Sequence, residues 1–221
     1  MKKLLSLLLV GTLAAATQAV TIDWSKVSGA TSVTTTDSKA GSAQMTVAAK
    51  TAWTASCLLT INTITHFNYD GYKYPALFGV FVNTSDKNSW RFNALFDNSE
   101  AKGPGTISLV GATVTGTTQV LSAERTYDLA ISYDGVGTLS FYLDGALYGS
   151  ATDWAGGANP YLVWGKQSDG TGSQQLSKGA TYTTAINYVA GKTYTELTVP
   201  EPTVLALLAL GVAGLALRRK A

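Results

Sequence analysis

The sequence predicts an all-β protein: a two-sheet antiparallel sandwich of jelly-roll type, flanked by an N-terminal export signal and a short apolar C-terminal helix. Three observations point there. Between residues 20 and 199, Ser and Thr make up 44 of 180 residues and the apolar positions recur with period two, not 3.6. Glycine is abundant at 22 of 221 residues, and aromatic residues reach 10% against 14% charged, too ring-rich a mixture for a disordered chain. Turn signals separate the apolar runs at roughly 8- to 12-residue spacing, the spacing of a sandwich or barrel.

Taken in chain order, residues 1–19 read as a secretory signal. Lys2 and Lys3 precede an apolar run from Leu4 to Ala16, and Thr17-Gln18-Ala19 places small residues where cleavage is determined, so cleavage is expected after Ala19. The alternative, a membrane anchor, suits the run less well, because a span needs about 20 apolar residues. The body, 20–198, then offers strands at 44–49, 53–62, 76–83, 90–96, 106–110, 113–121, 127–134, 139–144, 146–151, 161–165, 181–188 and 192–198. No amphipathic helix of ordinary length competes with them. Trp53, Trp90, Phe92, Phe141 and Trp164 fall in these patterns and are expected in the core. Cys57, the single cysteine, excludes an intrachain disulfide and reads as a small buried hydrophobe, an interchain bond being the alternative. Gly, Ser and Gln dominate 166–180, which reads as a loop.

The formal charge of +2 averages over unlike pieces. Five of the 16 Lys and Arg lie at the extreme ends, which leaves 11 against 13 acidic residues between 20 and 199, a net charge of −2. Nucleic acid is therefore excluded as a partner, since binding phosphates requires a basic surface. The last 23 residues, 199–221, run Val199-Pro200-Glu201-Pro202, an apolar stretch at 203–217, then Arg218-Arg219-Lys220-Ala221. A cationic cluster stays on the cytoplasmic side of a membrane. Fifteen residues of helix cover only about 22 Å of a core about 30 Å thick, marginal for a permanent anchor. This tail resembles the PEP-CTERM sorting signal of bacterial surface proteins, with the motif residues Pro200, Glu201, Pro202, Arg218 and Arg219 in the family's order. The resemblance implies export, transient anchoring in the inner membrane by the 203–217 helix, recognition by a membrane protease-transpeptidase of the exosortase kind, and release near Pro200 to Pro202. An ordinary C-terminal anchor with a proline-rich kink is the alternative.

Within the body, Tyr133-Asp134-Gly135 and Tyr142-Leu143-Asp144-Gly145 close two successive alternating runs. This hairpin pair resembles that of the concanavalin A-like, laminin-G-like domains, although Arg125-Thr126-Tyr127 stands where that family usually has tryptophan and histidine. The resemblance implies a jelly-roll sandwich and leaves function open, because the fold hosts lectins, adhesive modules and glycosidases.

Catalytic groups are sparse. His66 is the only histidine and reads as structural, and there is no Gly-x-Ser-x-Gly elbow, HExxH, P-loop, EF-hand or Cys/His zinc cluster. Glycoside hydrolysis needs two carboxylates flanking a bond, and the body's glutamates, Glu100, Glu124 and Glu196, are isolated; the nearest acidic pair is Asp97 and Glu100. Binding is better provided for. Sugar sites combine planar aromatic faces with a few polar groups, and two loop-rich stretches supply them: Tyr69, Asp70, Tyr72 and Tyr74 in one, Trp154, Asn159 and Tyr161 in the other. No motif specifies a cofactor; calcium is a candidate through the oxygen ligands of Asp70, Asp86, Asp97, Asn98 and Asp134. The sequence thus points to an exported, non-catalytic surface or matrix protein that binds a glycan or another surface polymer. A structural matrix component without a ligand site and a glycoside hydrolase are the alternatives.

Overall fold

Residues 20–33, 45–61, 76–82, 89–95, 106–115, 118–154, 159–164, 180–182 and 186–198 are described by the computed structural model. They form two antiparallel sheets. Sheet A contains β1 (Thr31–Val33), β3 (Trp53–Ile61), β7 (Thr113–Val114), β8 (Arg125–Tyr133), β9 (Leu139–Leu143), β10 (Ala146–Ala151), β12 (Ala180–Tyr182) and β13 (Ile186–Ala190). Its order is β1-β13-β3-β8-β9-β10-β7, with β12 beside β13 on the same edge of β3. Sheet B contains β2 (Met45–Thr46), β4 (Ala76–Phe81), β5 (Ser89–Leu95), β6 (Thr106–Val110) and β11 (Tyr161–Trp164), in the order β2-β11-β4-β5-β6. The architecture is the expected antiparallel sandwich of jelly-roll type.

Alternation decides which side chains lie between the sheets. On β8, Tyr127, Leu129, Ile131 and Tyr133 face inward; on β3, Trp53, Ala55, Cys57, Leu59 and Ile61 do the same, and all are buried in one apolar cluster. Sheet B contributes Phe78, Val80, Phe92, Ile107, Leu162 and Trp164. At one end of this core, Trp53 packs against Tyr133, Trp154 and Tyr188 with ring centroids 6.3, 5.9 and 6.2 Å away. Deeper in, Phe92 meets Phe141 edge-on at 5.3 Å. The Tyr148 hydroxyl donates to the Ile107 carbonyl at 2.6 Å, tying β10 of one sheet to β6 of the other. The core expectation for Trp53, Phe92, Phe141 and Trp164 is met, and Trp90 is half-buried against the same cluster. Cys57 is buried, with its thiol pushed well up by burial and, secondarily, by Asp128.

The two predicted turns behave as their residues dictate. Asp144 and Gly145, at φ 51° and 83°, make the two-residue connection of the β9–β10 hairpin, with Leu143 opposite Ala146. Both central residues of such a primed turn need positive φ, which Asp tolerates and Gly adopts freely. In the other turn, the Asp134 carboxylate accepts from the N–H groups of Val136, Gly137 and Thr138 at 2.8, 2.9 and 3.0 Å.

Four stretches differ from the expected strands. At 113–121 only β7 forms as a strand, with Val120 making an isolated bridge to Thr106. The run at 181–188 divides into β12 and β13, and their registers on β3 differ by two residues. Residues 192–198 are not a strand but hold helix α1 (Tyr194–Thr198). The cause is local: the Thr193 N–H donates to Glu196 Oε2 at 2.7 Å and its hydroxyl to the same oxygen at 2.8 Å, a Thr-x-x-Glu capping arrangement that starts a helical turn. Finally, a 3-10 turn at Trp24–Lys26 and the edge strand β1 form where no element was expected.

The N-terminal segment and α1 close over the outer face of sheet A, opposite the core. Ile22, Ala130 and Tyr194 are buried together there, with Trp24, Val27, Tyr142 and Leu197 packed around them. Hydrogen bonds fix the seam: Trp24 Nε1 to Ser56 Oγ at 2.7 Å, the Tyr194 N–H to Ser132 Oγ at 2.8 Å, and the Tyr194 hydroxyl to the Val20 carbonyl at 2.9 Å. The Tyr142 and Tyr194 rings stack at 3.8 Å and 10°. Both ends of the described body therefore meet on one patch.

Candidate functional site

The expected binding residues divide three ways. Tyr69, Asp70, Tyr72 and Tyr74 lie outside the described residues, as do His66, Asp97 and Glu100. Trp154 requires correction. Although its sequence neighbours are loop-like, its side chain is only 2% exposed and its ring packs edge-on to Tyr133 at 4.1 Å and to Trp90 at 6.5 Å. The backbone explains this: the Trp154 N–H donates to the Gly137 carbonyl at 3.3 Å, which turns the chain back over the open end of the sandwich. Trp154 closes the core and offers no ring face to a ligand. Asn159, by contrast, is exposed, and Tyr161 is half-buried at the start of β11.

Tyr161 lies opposite Phe81 in the β11–β4 pairing, and the two rings stack at 6.1 Å with 20° between planes. Phe81 and Arg91 both project from the face of sheet B that points away from the core: Phe78, Val80 and Phe92 occupy the inner positions, and Gly79 stands opposite Arg91. The Arg91 guanidinium carbon lies 5.5 Å from the Phe81 ring centre, a cation over an aromatic face. Gly79 is required beneath it. A Cβ there would run into the Arg91 Cβ and come within 3.0 Å of the Trp90 carbonyl. Arg91 itself is 3% exposed. Phe81 is fully buried as well, so the accessible part of the arrangement is the half-buried Tyr161 with exposed Asn159 two residues before it. Burial raises the Tyr161 hydroxyl, so it remains a neutral donor at ordinary pH. Of the residues in this arrangement, the sequence pointed to Tyr161 and Asn159 and not to Phe81 and Arg91. The available signal was an arginine flanked by Trp90 and Phe92, which places a charge on the outward positions of an apolar strand.

A second polar group occupies the outer face of sheet A. Asp144 Oδ1 accepts the Asp128 N–H at 2.9 Å and Oδ2 pairs with Arg125 at 2.6 Å, so both oxygens are engaged in holding the hairpin. Asp128 Oδ1 is buried without a hydrogen-bond partner among the described residues. Its carboxyl is pushed from 3.8 up to about 6, by burial first and by the Asp144 charge second.

Of the calcium candidates, Asp70, Asp86, Asp97 and Asn98 lie outside the described residues. Burial opposes ionisation of Asp134, but the N–H groups of Thr138, Val136 and Gly137 prevail and hold its carboxyl below the usual range. That carboxylate spends Oδ1 on its own turn. Among the described residues no three acidic, His or Cys side chains gather as a metal site would need.

Comparison with known families locates the remaining functional segment. A model for the PEP-CTERM protein-sorting motif matches residues 198–220. The chain carries a PEP-CTERM sorting motif. The motif implies export, a membrane-anchored sorting signal and processing by an exosortase, and it begins on the last residue of α1. Among the described residues no helix is long and apolar enough to cross a membrane; the expected signal at 1–19 and the helix at 203–217 lie outside them. The curated proteins contain no match. Among solved structures the chain is similar to galectin LEC-6 of Caenorhabditis elegans, at 12% identity over 74% of this chain and 96% of that one, TM-score 0.38. It is also similar to the alginate lyase AlyA1 of Zobellia galactanivorans, at 14% identity over 66% and 61% of the two chains, TM-score 0.39. A Trypanosoma rangeli sialidase matches at 13% identity over 66% of this chain and 21% of that one, TM-score 0.42. The sandwich architecture itself stands on the strand order and register given above.

Proposed function

We propose that this chain is an exported, non-catalytic surface or extracellular-matrix protein whose sandwich binds a carbohydrate or a similar surface polymer. The observation that carries the reading is the stacked Phe81 and Tyr161 pair on the outer face of sheet B, with Arg91 against it and Asn159 exposed nearby. The half-buried Tyr161 ring and hydroxyl beside the exposed Asn159 amide supply the two kinds of contact a pyranose takes, apolar packing for its ring and hydrogen bonds for its hydroxyls. The engagement of both Asp144 oxygens favours binding over hydrolysis, because among the described residues no free carboxylate then stands beside Asp128 to serve as its catalytic partner. In this reading the tail is removed by an exosortase-type enzyme and the body alone works at the surface.

The test is retention of the tail-free protein on an array of bacterial and plant polysaccharides, with calcium and then with chelator. A subset of glycans should be retained, and Tyr161→Ala should weaken that retention by about tenfold, a loss of the order expected for one aromatic contact. Absence of retention in both conditions overturns the reading and leaves the structural matrix role. Loss of retention on chelation would assign the calcium candidate a role.

A further inference from the structure

The sorting motif starts at Thr198, and Thr198 is also the last residue of α1, so no spacer separates a docked helix from the segment to be cut. A processing enzyme takes its substrate as an extended chain several residues long. From Thr198, the four residues to Pro202 reach at most about 14 Å when fully extended. The residues on the N-terminal side of the cut would therefore have to come from α1, where each rises about 1.5 Å instead of about 3.3 Å. Helical and seated on sheet A, they cannot enter such a cleft.

The geometry points to α1 as a latch on tail processing: it must leave the outer face of sheet A and unwind before the chain can be cut near Pro200 to Pro202. This inference rests on the reading of residues 198–220 as a processed sorting signal. Its physical basis is a short element held chiefly through one side chain, with half-buried Leu197 packed beside it. Five residues are far too few to sustain a helix in water, and Tyr194 is the only buried residue among them. Three contacts of Tyr194 fasten the element: its N–H on Ser132, its hydroxyl on the Val20 carbonyl, and its ring on Tyr142. Beside it, an open groove of about 160 Å³ lined by Val20, Tyr142, Gly145, Tyr194, Thr195 and Thr198 runs between the helix and the β9–β10 turn. Elements with few buried contacts open at a small fraction of the global unfolding free energy. Docking strength then sets the fraction of time the tail is available. Because Val20 would be the first residue after cleavage of the export signal, the latch fastens onto the new N-terminus of the body.

The experiment follows cleavage of the full-length chain by pulse-chase in a bacterial host that has the sorting enzyme, with mass spectrometry of the product. Tyr194→Phe removes the bond to Val20 while keeping the ring, and Glu196→Gln weakens the cap; each should speed cleavage severalfold. An insertion of about six Gly and Ser residues between Thr198 and Val199 supplies about 20 Å of extended chain. It should speed cleavage to the same degree and abolish the effect of both substitutions. A wild-type chain that is cut at a rate unmoved by the insertion overturns the latch while leaving the motif reading intact. If neither the wild-type nor the inserted chain is cut, the motif reading fails and the latch with it.

Discussion

Asp128 is half-buried on the outer face of sheet A, close to Tyr194 and Asp144 and with Oδ1 shut off from water, and the cost of ionising it there is a stability cost. The native state holds its proton up to about pH 6, whereas the unfolded chain releases it near 3.8. Between those values the native state binds more protons, so the contribution of this group falls as pH rises and is fully lost above about pH 6. A shift of this size corresponds to about 3 kcal/mol. Asp128→Asn should therefore flatten the pH dependence between pH 4 and 6 and raise stability at pH 7. Urea unfolding of both proteins across that range measures it; parallel curves would show that Asp128 titrates normally. Gly79 is constrained by space instead of charge, since a methyl group there meets Arg91 and the Trp90 carbonyl. Gly79→Ala should destabilise by about 2 kcal/mol, the usual range for overpacking, as read from the urea midpoint.

At the level of elements, the β9–β10 hairpin depends on one residue holding a positive φ while its carboxylate binds Arg125 and the Asp128 N–H. Asp144→Asn keeps the turn conformation and one acceptor, so less than about 1 kcal/mol should be lost. Asp144→Val adds a β-branched side chain at φ 51° and removes both bonds, and about 3 kcal/mol or more should be lost. Thermal melts of the two variants decide whether the turn carries this weight. Such hairpins were legible in the sequence because their causes are adjacent residues: alternation, then Asp-Gly. Helix α1 was misread because Thr193, Tyr194, Thr195 and Thr198 favour strands, whereas the three-residue spacing of Tyr194 and Leu197 and the Thr193 to Glu196 cap, both present in the sequence, specify a helical turn. Strand β1 carried no local signal. Among the described residues its three positions pair with β13 alone, whose partners lie more than 150 positions later. The proposed binding face shows the same division: Tyr161 announced itself as an aromatic near a loop, whereas Phe81 and Arg91 join it only once Gly79 and Tyr161 are known to stand opposite them. Trp154 was placed wrongly for a related reason, since only the packing of Trp53, Trp90 and Tyr133 around it reveals a core position.

On the scale of the whole molecule, the last strand of the body is an interior strand. β13 pairs with β1 on one side and β3 on the other, so sheet A is incomplete until residues 186–190 are in place. Ile186 and Val189 are buried, and the Tyr188 hydroxyl accepts the Ala48 N–H at 3.1 Å, which links the same strand to the segment that follows β2. A chain ending before Ile186 would leave part of β3 as a long unpaired edge and strand β1 without any partner, a liability for aggregation. It would also lose α1 and uncover Ala130 and Trp24. In the proposed reading, with the segment at 1–19 leading export, this order delays completion of the sandwich until nearly the entire body has crossed the membrane. Deleting residues 186–198 should therefore abolish cooperative unfolding, with loss of near-ultraviolet circular dichroism and gain of dye binding. Deleting only 194–198 should preserve a cooperative melt at a lower midpoint, because β13 remains. A sharp transition in the longer deletion would mean that β3 and β8 nucleate a stable sheet without their C-terminal partner, and that the body could fold while its last strands were still in transit.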